Sequence, residues 1–218
     1  MKAGERLETI YLGQAPQCGK AEFLERLDSE WQRVCLRYPT ARRVGLSDGA
    51  RDYEPWLAAR TDWLILDFYH ASGYLAGAAA GLRRKPLERA LWLEQACHAL
   101  KHESGAAKRL ARELATQVEA GSRTRGAAPA LAAASGYFAH NIERMNYAAF
   151  RAMGFPIGSG VTEAACKTLV KQRLCGSGMQ WTRRGAQTVL TLRALLLSTS
   201  RWASLWTYLD QHGLSPTH

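Results

Sequence analysis

Apolar residues change their spacing near residue 75. Before that point short apolar runs alternate with one helical stripe; after it they recur at helical spacing, with no strand pattern. Leu7 to Leu12 reads as a short strand closed by Gly13 and Pro16. Ala21 to Leu36 reads as an amphipathic helix with Phe23, Leu24, Leu27, Trp31, Val34 and Cys35 on one side, broken by Pro39. Arg42 to Ser47 is a second expected strand, ending at Asp48-Gly49-Ala50. Tyr53 to Ala59 is a weak helix or turn, since Pro55 fits only a first helical turn. Trp63 to Leu66 is a continuous apolar strand, expected to be buried on both faces, and it runs into Asp67-Phe68-Tyr69-His70. Strand–helix–strand–helix–strand implies a mostly parallel, layered α/β sheet.

Beyond it, Ala76 to Val118 is helical with breaks near Pro86 and Gly105, and Gly121 to Gly126 is a basic loop. Ala130 to Met153 returns to helix, Phe155 to Gly160 is an irregular loop, and Thr162 to Leu174 is a helix ended by Gly176. Gly185 to Leu197 is a strongly apolar helix, expected to pack against the sheet. The segments 1–75, 76–155 and 156–218 therefore read as a sheet region, a helical insertion and a helical C-terminal part.

Charge sharpens this division. The 218 residues carry a formal charge of +10, and 47% hydrophobic with 22% charged residues is ordinary for a globular chain. Residues 1–75 hold ten Lys/Arg against eleven Asp/Glu, a balance of −1; residues 76–218 hold nineteen against eight, a balance of +11. Such asymmetry points to a nucleic-acid partner, because neutralising phosphates releases counterions. Five scattered cysteines (Cys18, Cys35, Cys97, Cys166, Cys175) form no C-x-x-C pair, which fits free thiols in a reducing cytoplasm. Cys97-His98 with His102 lacks a further ligand and reads as helix surface. No apolar run reaches membrane-spanning length, and the first residues do not form a signal peptide.

Between Glu143 and Asp210 the only acid is Glu163, followed by Lys167, Lys171, Arg173, Arg183 and Arg184. One reading is a metal-binding or proton-handling acid inside a surface that holds polyanions. The other is a helix-start glutamate favoured by the first-turn amides and paired with Lys167. Asp48 and Asp67 each stand where an expected strand ends, the place where ligands sit in open parallel sheets. On neighbouring strands they would lie about 5 Å apart. With a helix-start acid they would offer oxygens to Mg²⁺ or Mn²⁺ for phosphodiester chemistry. The competing reading is that each aspartate caps the turn that follows it.

The run Pro156-Ile157-Gly158-Ser159-Gly160-Val161-Thr162-Glu163-Ala164-Ala165-Cys166-Lys167-Thr168-Leu169-Val170-Lys171-Gln172-Arg173, followed by Gly176-Ser177-Gly178-Met179-Gln180-Trp181, resembles bacterial insertion-sequence transposases of the ISKra type. So do Ser47-Asp48-Gly49-Ala50 and Leu66-Asp67-Phe68-Tyr69-His70-Ala71, and the resemblance covers nearly the whole chain. It implies a ribonuclease-H-like α/β catalytic domain interrupted by a large all-helical insertion, with an Asp-Asp-Glu triad holding two Mg²⁺ or Mn²⁺ ions. Asp48 would be the second triad aspartate, Glu163 the glutamate, and Asp67 with His70 an accessory Asp-x-x-His motif, as in Mutator-like transposases. Lys167, Lys171, Arg173, Arg183 and Arg184 would contact DNA, with element ends and target as partners, in the cytoplasm at the nucleoid.

The family's first aspartate, on a strand preceding the Leu7–Leu12 segment, has no match. Of Glu5, Glu8, Glu22, Glu25, Asp28 and Glu30, none follows an apolar strand into Asp-Gly. The expected core is thus a mixed sheet lacking its first strands. The chain then reads as the C-terminal part of a longer transposase, from a truncated gene or a split reading frame, inactive alone. It could self-associate or pair with a full-length transposase. A non-catalytic DNA-binding derivative is the alternative from another class. A glycosidase using Asp48 and Glu163 as acid and base fits poorly with the basic balance.

Overall fold

The computed structural model describes residues 7–15, 19–124 and 126–213, and the backbone alone of Val161 and Glu163. Glu5, Pro16 and Cys18, named above, and Arg125 of the basic loop lie outside the described residues, as does the Glu163 side chain. The chain is mostly helical, with one small parallel sheet among the described residues, a mixed α/β architecture. Packing gathers it into two compact units, residues 42–159 and residues 1–41 with 160–218.

The unit of residues 42–159 holds the sheet. Strands β1 (Val44–Ser47) and β2 (Trp63–Leu66) pair in parallel, with Val44 opposite Trp63 and Ser47 opposite Leu66. Between them lies α2 (Glu54–Ala58), whose first turn accommodates Pro55 as expected. Asp62 fixes the strand starts: its carboxylate accepts the Arg43 amide at 2.9 Å, and its own amide donates to the Arg43 carbonyl at 2.8 Å. Ile65 and Leu66 are buried, while Trp63 and Leu64 are half-buried.

A run of helices begins directly after β2, at Phe68, earlier than the residue 76 expected from the sequence. It comprises α3 (Phe68–Leu82), α4 (Pro86–His102), α5 (Ala106–Ala120), α6 (Ala128–Asn141) and α7 (Tyr147–Ala152). The breaks fall where the sequence places them: Pro86 opens α4, and Gly105, at φ 73°, precedes α5. Small residues let α3 and α6 approach closely. A Cβ on Gly81 would stand 3.0 Å from the Leu131 Cβ, tighter than ordinary contact. Leu75, Leu82, Leu100, Leu114, Leu131 and Phe138 form the apolar centre of this bundle and join Ile65 and Leu66 of β2 in one core.

The other unit contains α1 (Lys20–Arg37), a helical run from Gly160 to Leu174, α10 (Arg183–Leu197) and α11 (Arg201–His212). That run is α8 (Gly160–Ala165), a π-helical stretch (Cys166–Lys171) and the short α9 (Gln172–Leu174). The strand expected at Leu7–Leu12 does not form; the segment is irregular. Its polar groups find other partners. The Thr9 carbonyl accepts the Thr199 amide at 2.9 Å, the Tyr11 amide donates to Ser198 Oγ at 2.9 Å, and the Ala15 amide donates to Gln187 Oε1 at 2.8 Å. The Gln187 side chain of α10, the Ser198 hydroxyl at its C-cap and the Thr199 amide thus replace a strand ladder. The buried residues of α10, Leu190 and Ala194, cluster with Leu169 and Ala15 rather than with a strand. Glu8 pairs with Arg33 at 3.4 Å and Arg37 at 3.6 Å, and Glu30 joins Arg33 at 2.9 Å and Arg201.

Candidate functional site

Because β1 and β2 are parallel and in register, Asp48 and Asp67 follow their last residues on the same edge of the sheet. The expected juxtaposition of two strand-end acids therefore forms. Their surroundings differ sharply. Asp67 is 1% exposed and Asp48 lies at the surface.

Asp67 uses both carboxylate oxygens on backbone amides. Oδ1 accepts the His70 amide at 2.9 Å, capping α3, and Oδ2 accepts the Ser159 amide at 2.6 Å. Burial works to raise its pKa, but hydrogen bonds from Ser159, His70 and Tyr69 outweigh it and hold the carboxyl below the usual aspartate value. The loop from Phe155 to Ser159 is docked by more than this bond. The Phe68 amide donates to the Ile157 carbonyl at 2.8 Å, and Gly158 lies against the Tyr69 ring, where a Cβ would come within 2.6 Å of Cε2. Asp67 therefore anchors the Pro156-Ile157-Gly158-Ser159 part of the motif whose next residues open α8.

Asp48 forms a tight turn. Its Oδ1 accepts the Ala50 amide at 2.9 Å, and its carbonyl accepts the Tyr137 hydroxyl at 2.9 Å. Gly49 has φ 90°, and a Cβ there would meet Leu66 Cδ1 at 3.1 Å and Tyr137 Cε2 at 3.2 Å. Burial first, then the nearby Tyr74, Asp48 and Asp67, push the Tyr137 hydroxyl well above its ordinary value, so it stays a neutral donor. Tyr137 stacks on Tyr74 with ring centroids 3.9 Å apart, and the exposed His70 ring lies 5.6 Å from Tyr74 and 5.8 Å from Tyr137.

Compared with models of protein families, with curated proteins and with solved structures, the chain matches none.

The described side chains can be tested directly as cation ligands. Asp67 has both oxygens committed to amides, and Asp48 has one in its turn. Among the described residues no three His, Cys, Asp or Glu side chains gather around one point. The described residues alone do not fit a Mg²⁺ or Mn²⁺ site, and the Glu163 side chain lies outside them.

The expected DNA-contacting residues Lys167, Lys171, Arg173, Arg183 and Arg184 are all exposed. Arg183 and Arg184 open α10, where Thr182 caps by accepting the Gly185 amide at 3.1 Å, and together with Gln187 and Thr188 they line an open groove. Arg193 has an internal role instead. Its guanidinium binds the Thr168 carbonyl within the π-helical stretch, with Nε at 3.0 Å. His98 and His102 stack at 4.6 Å on the α4 surface, where His102 contacts Arg151 at 2.8 Å. Sequence reasoning missed Tyr137, Ser159 and Arg193. Only Ser159, within the long motif, left a signal in the sequence. Among the described residues no helix is long and apolar enough to cross a membrane.

Proposed function

We propose that this chain is a fragment of the catalytic region of a DDE-type DNA transposase with a ribonuclease-H-like core, one that binds DNA and is inactive by itself. The observation that carries the reading is the pair of adjacent parallel strands with an aspartate following each at the same sheet edge. In this assignment Asp48 is the accessible strand-end acid, Glu163 the helix acid, and Asp67 with His70 the supporting pair. The exposed Lys167, Lys171, Arg173, Arg183 and Arg184 take DNA phosphates. Element ends and target DNA are the partners, and the nucleoid is the place of action. Self-association and pairing with a longer transposase are the protein contacts of this reading. The described carboxylates do not fit a two-cation centre, so no Mg²⁺- or Mn²⁺-dependent step is assigned to them.

A second reading, a regulatory derivative that binds DNA and never cleaves it, is favoured by one observation: both Asp67 oxygens are engaged by amides. Binding to duplex DNA across a salt series tests what the two readings share. Nicking of plasmid DNA by the chain with and without added longer transposase separates them, since only the first expects activity when the longer protein is present.

A further inference from the structure

Between α3 and α6 lies an open groove of about 390 Å³, within the range of small-ligand sites. Its floor is made of Gly73, Gly77, Ala130 and Ala133, residues too small to fill it. Its wall is aromatic: Tyr69, His70 and Tyr74, the last stacked on Tyr137. Tyr69 is 61% exposed, yet the ring is not loose. Gly158 backs it closely, and the Phe68 ring meets it edge-on at 5.6 Å. An aromatic ring held from behind and exposed to solvent is a stacking platform whose ordering cost is met by the fold itself.

Charge identifies the occupant. Residues 42–159 carry sixteen Lys/Arg against eleven Asp/Glu. One helical turn beyond Gly77, about 6 Å along α3, Gly81 accepts the Arg123 amide at 2.8 Å. Arg83, Arg84 and Lys85 follow immediately, with Arg84, Lys85 and Arg123 exposed. A cationic tip thus lies on the same helix, beyond the Gly77 end of the groove. A flat, neutral aromatic ring on an anionic backbone satisfies both features.

We propose that the groove takes an unstacked nucleobase of a single-stranded DNA segment, laid on Tyr69, while phosphates several nucleotides further along the strand reach the Arg84–Lys85–Arg123 tip, about 20 Å along α3. This rests on the DNA-binding reading above and adds to it a single-stranded substrate and a base contact. Stacking is indifferent to base identity, so the site holds a strand without reading its sequence.

The test is fluorescence anisotropy with a labelled oligothymidylate and an abasic strand of equal length, in EDTA so that no cation chemistry intervenes. The wild-type chain is expected to prefer the thymine strand by about tenfold, the order found for one stacked base. Tyr69→Ala should erase that preference and Tyr69→Phe should keep it. Gly73→Leu should also erase it by filling the floor, since nothing lies within 4 Å of an added Cβ there. Equal affinity for the two strands in the wild-type chain, or a preference that survives Tyr69→Ala, would overturn the proposal while leaving salt-dependent backbone binding intact. Failure to bind either strand at low salt would overturn both readings. A wild-type dimer in sedimentation that Tyr69→Ala converts to monomer would assign the groove to a second copy of the chain and overturn the base contact.

Discussion

Asp67 and Ser159, 92 positions apart, meet in a hydrogen bond of 2.6 Å between a buried carboxylate and a backbone amide. The bond joins the end of β2 to the loop that leads into α8. Truncating Asp67 would strand the Ser159 and His70 amides, at about 1–3 kcal/mol for each amide left without a partner. We expect Asp67→Ala to lower stability by several kcal/mol and Asp67→Asn, which keeps one acceptor, by less, as read from urea midpoints.

The same carboxylate sets a pH dependence. Its folded pKa lies below the ordinary value of 3.8, so its contribution is fully present above that value and is lost as pH falls through the folded pKa. The urea midpoint of the wild-type chain should fall more steeply below about pH 4 than that of Asp67→Asn. Parallel acid profiles for the two proteins would contradict the assigned role.

Tyr147 is fully buried, and its hydroxyl has no hydrogen-bond partner among the described residues. Burial pushes that hydroxyl's pKa far above the ordinary tyrosine value. Removing an unsatisfied buried group relieves a desolvation penalty while the ring keeps its edge-on contact with Phe68 at 5.4 Å. Tyr147→Phe should therefore leave the Tm unchanged or raise it. A fall would mean that the hydroxyl has a partner after all.

Local chemistry made much of the fold legible in the sequence. Pro86 and Gly105 marked the helix breaks, and the four-residue apolar run Trp63–Leu66 marked a strand. Leu7–Leu12 misled because its Tyr11 packs against the Leu190 and Ala194 cluster of α10, and Thr199, Ser198 and Gln187 satisfy its polar groups from far along the chain. Periodicity cannot see such partners. For the candidate site, the two strand-end aspartates could be read from strand endings, but their division of labour could not. Whether a carboxylate faces solvent or a pair of amides depends on where the Ser159 loop returns.

Gly49 holds the Asp48 turn at φ 90° with Tyr137 pressed against it. Gly49→Ala would be strained and would force Leu66 or Tyr137 aside, at about 1–3 kcal/mol. Melting temperature reads this cost, and a neutral effect would show that the turn has other conformations open to it.

The isolated chain is expected not to nick plasmid DNA carrying candidate element ends in Mg²⁺ or Mn²⁺. Asp48 and Glu163 alone provide too few carboxylates for two cations. Activity abolished by Asp48→Ala or Glu163→Ala would contradict the catalytic incompleteness proposed for it.

The central claim, that this chain holds DNA through its phosphates, is tested most directly by the salt dependence of duplex binding. We predict a steep linear fall of log K with log salt for the wild-type chain. In the combined Lys167→Ala, Lys171→Ala, Arg173→Ala, Arg183→Ala and Arg184→Ala variant, binding should weaken uniformly across DNA sequences. The slope should flatten by about 0.9 for each phosphate that the variant no longer neutralises. Affinity that ignores salt, or a slope unchanged in that variant, would contradict it.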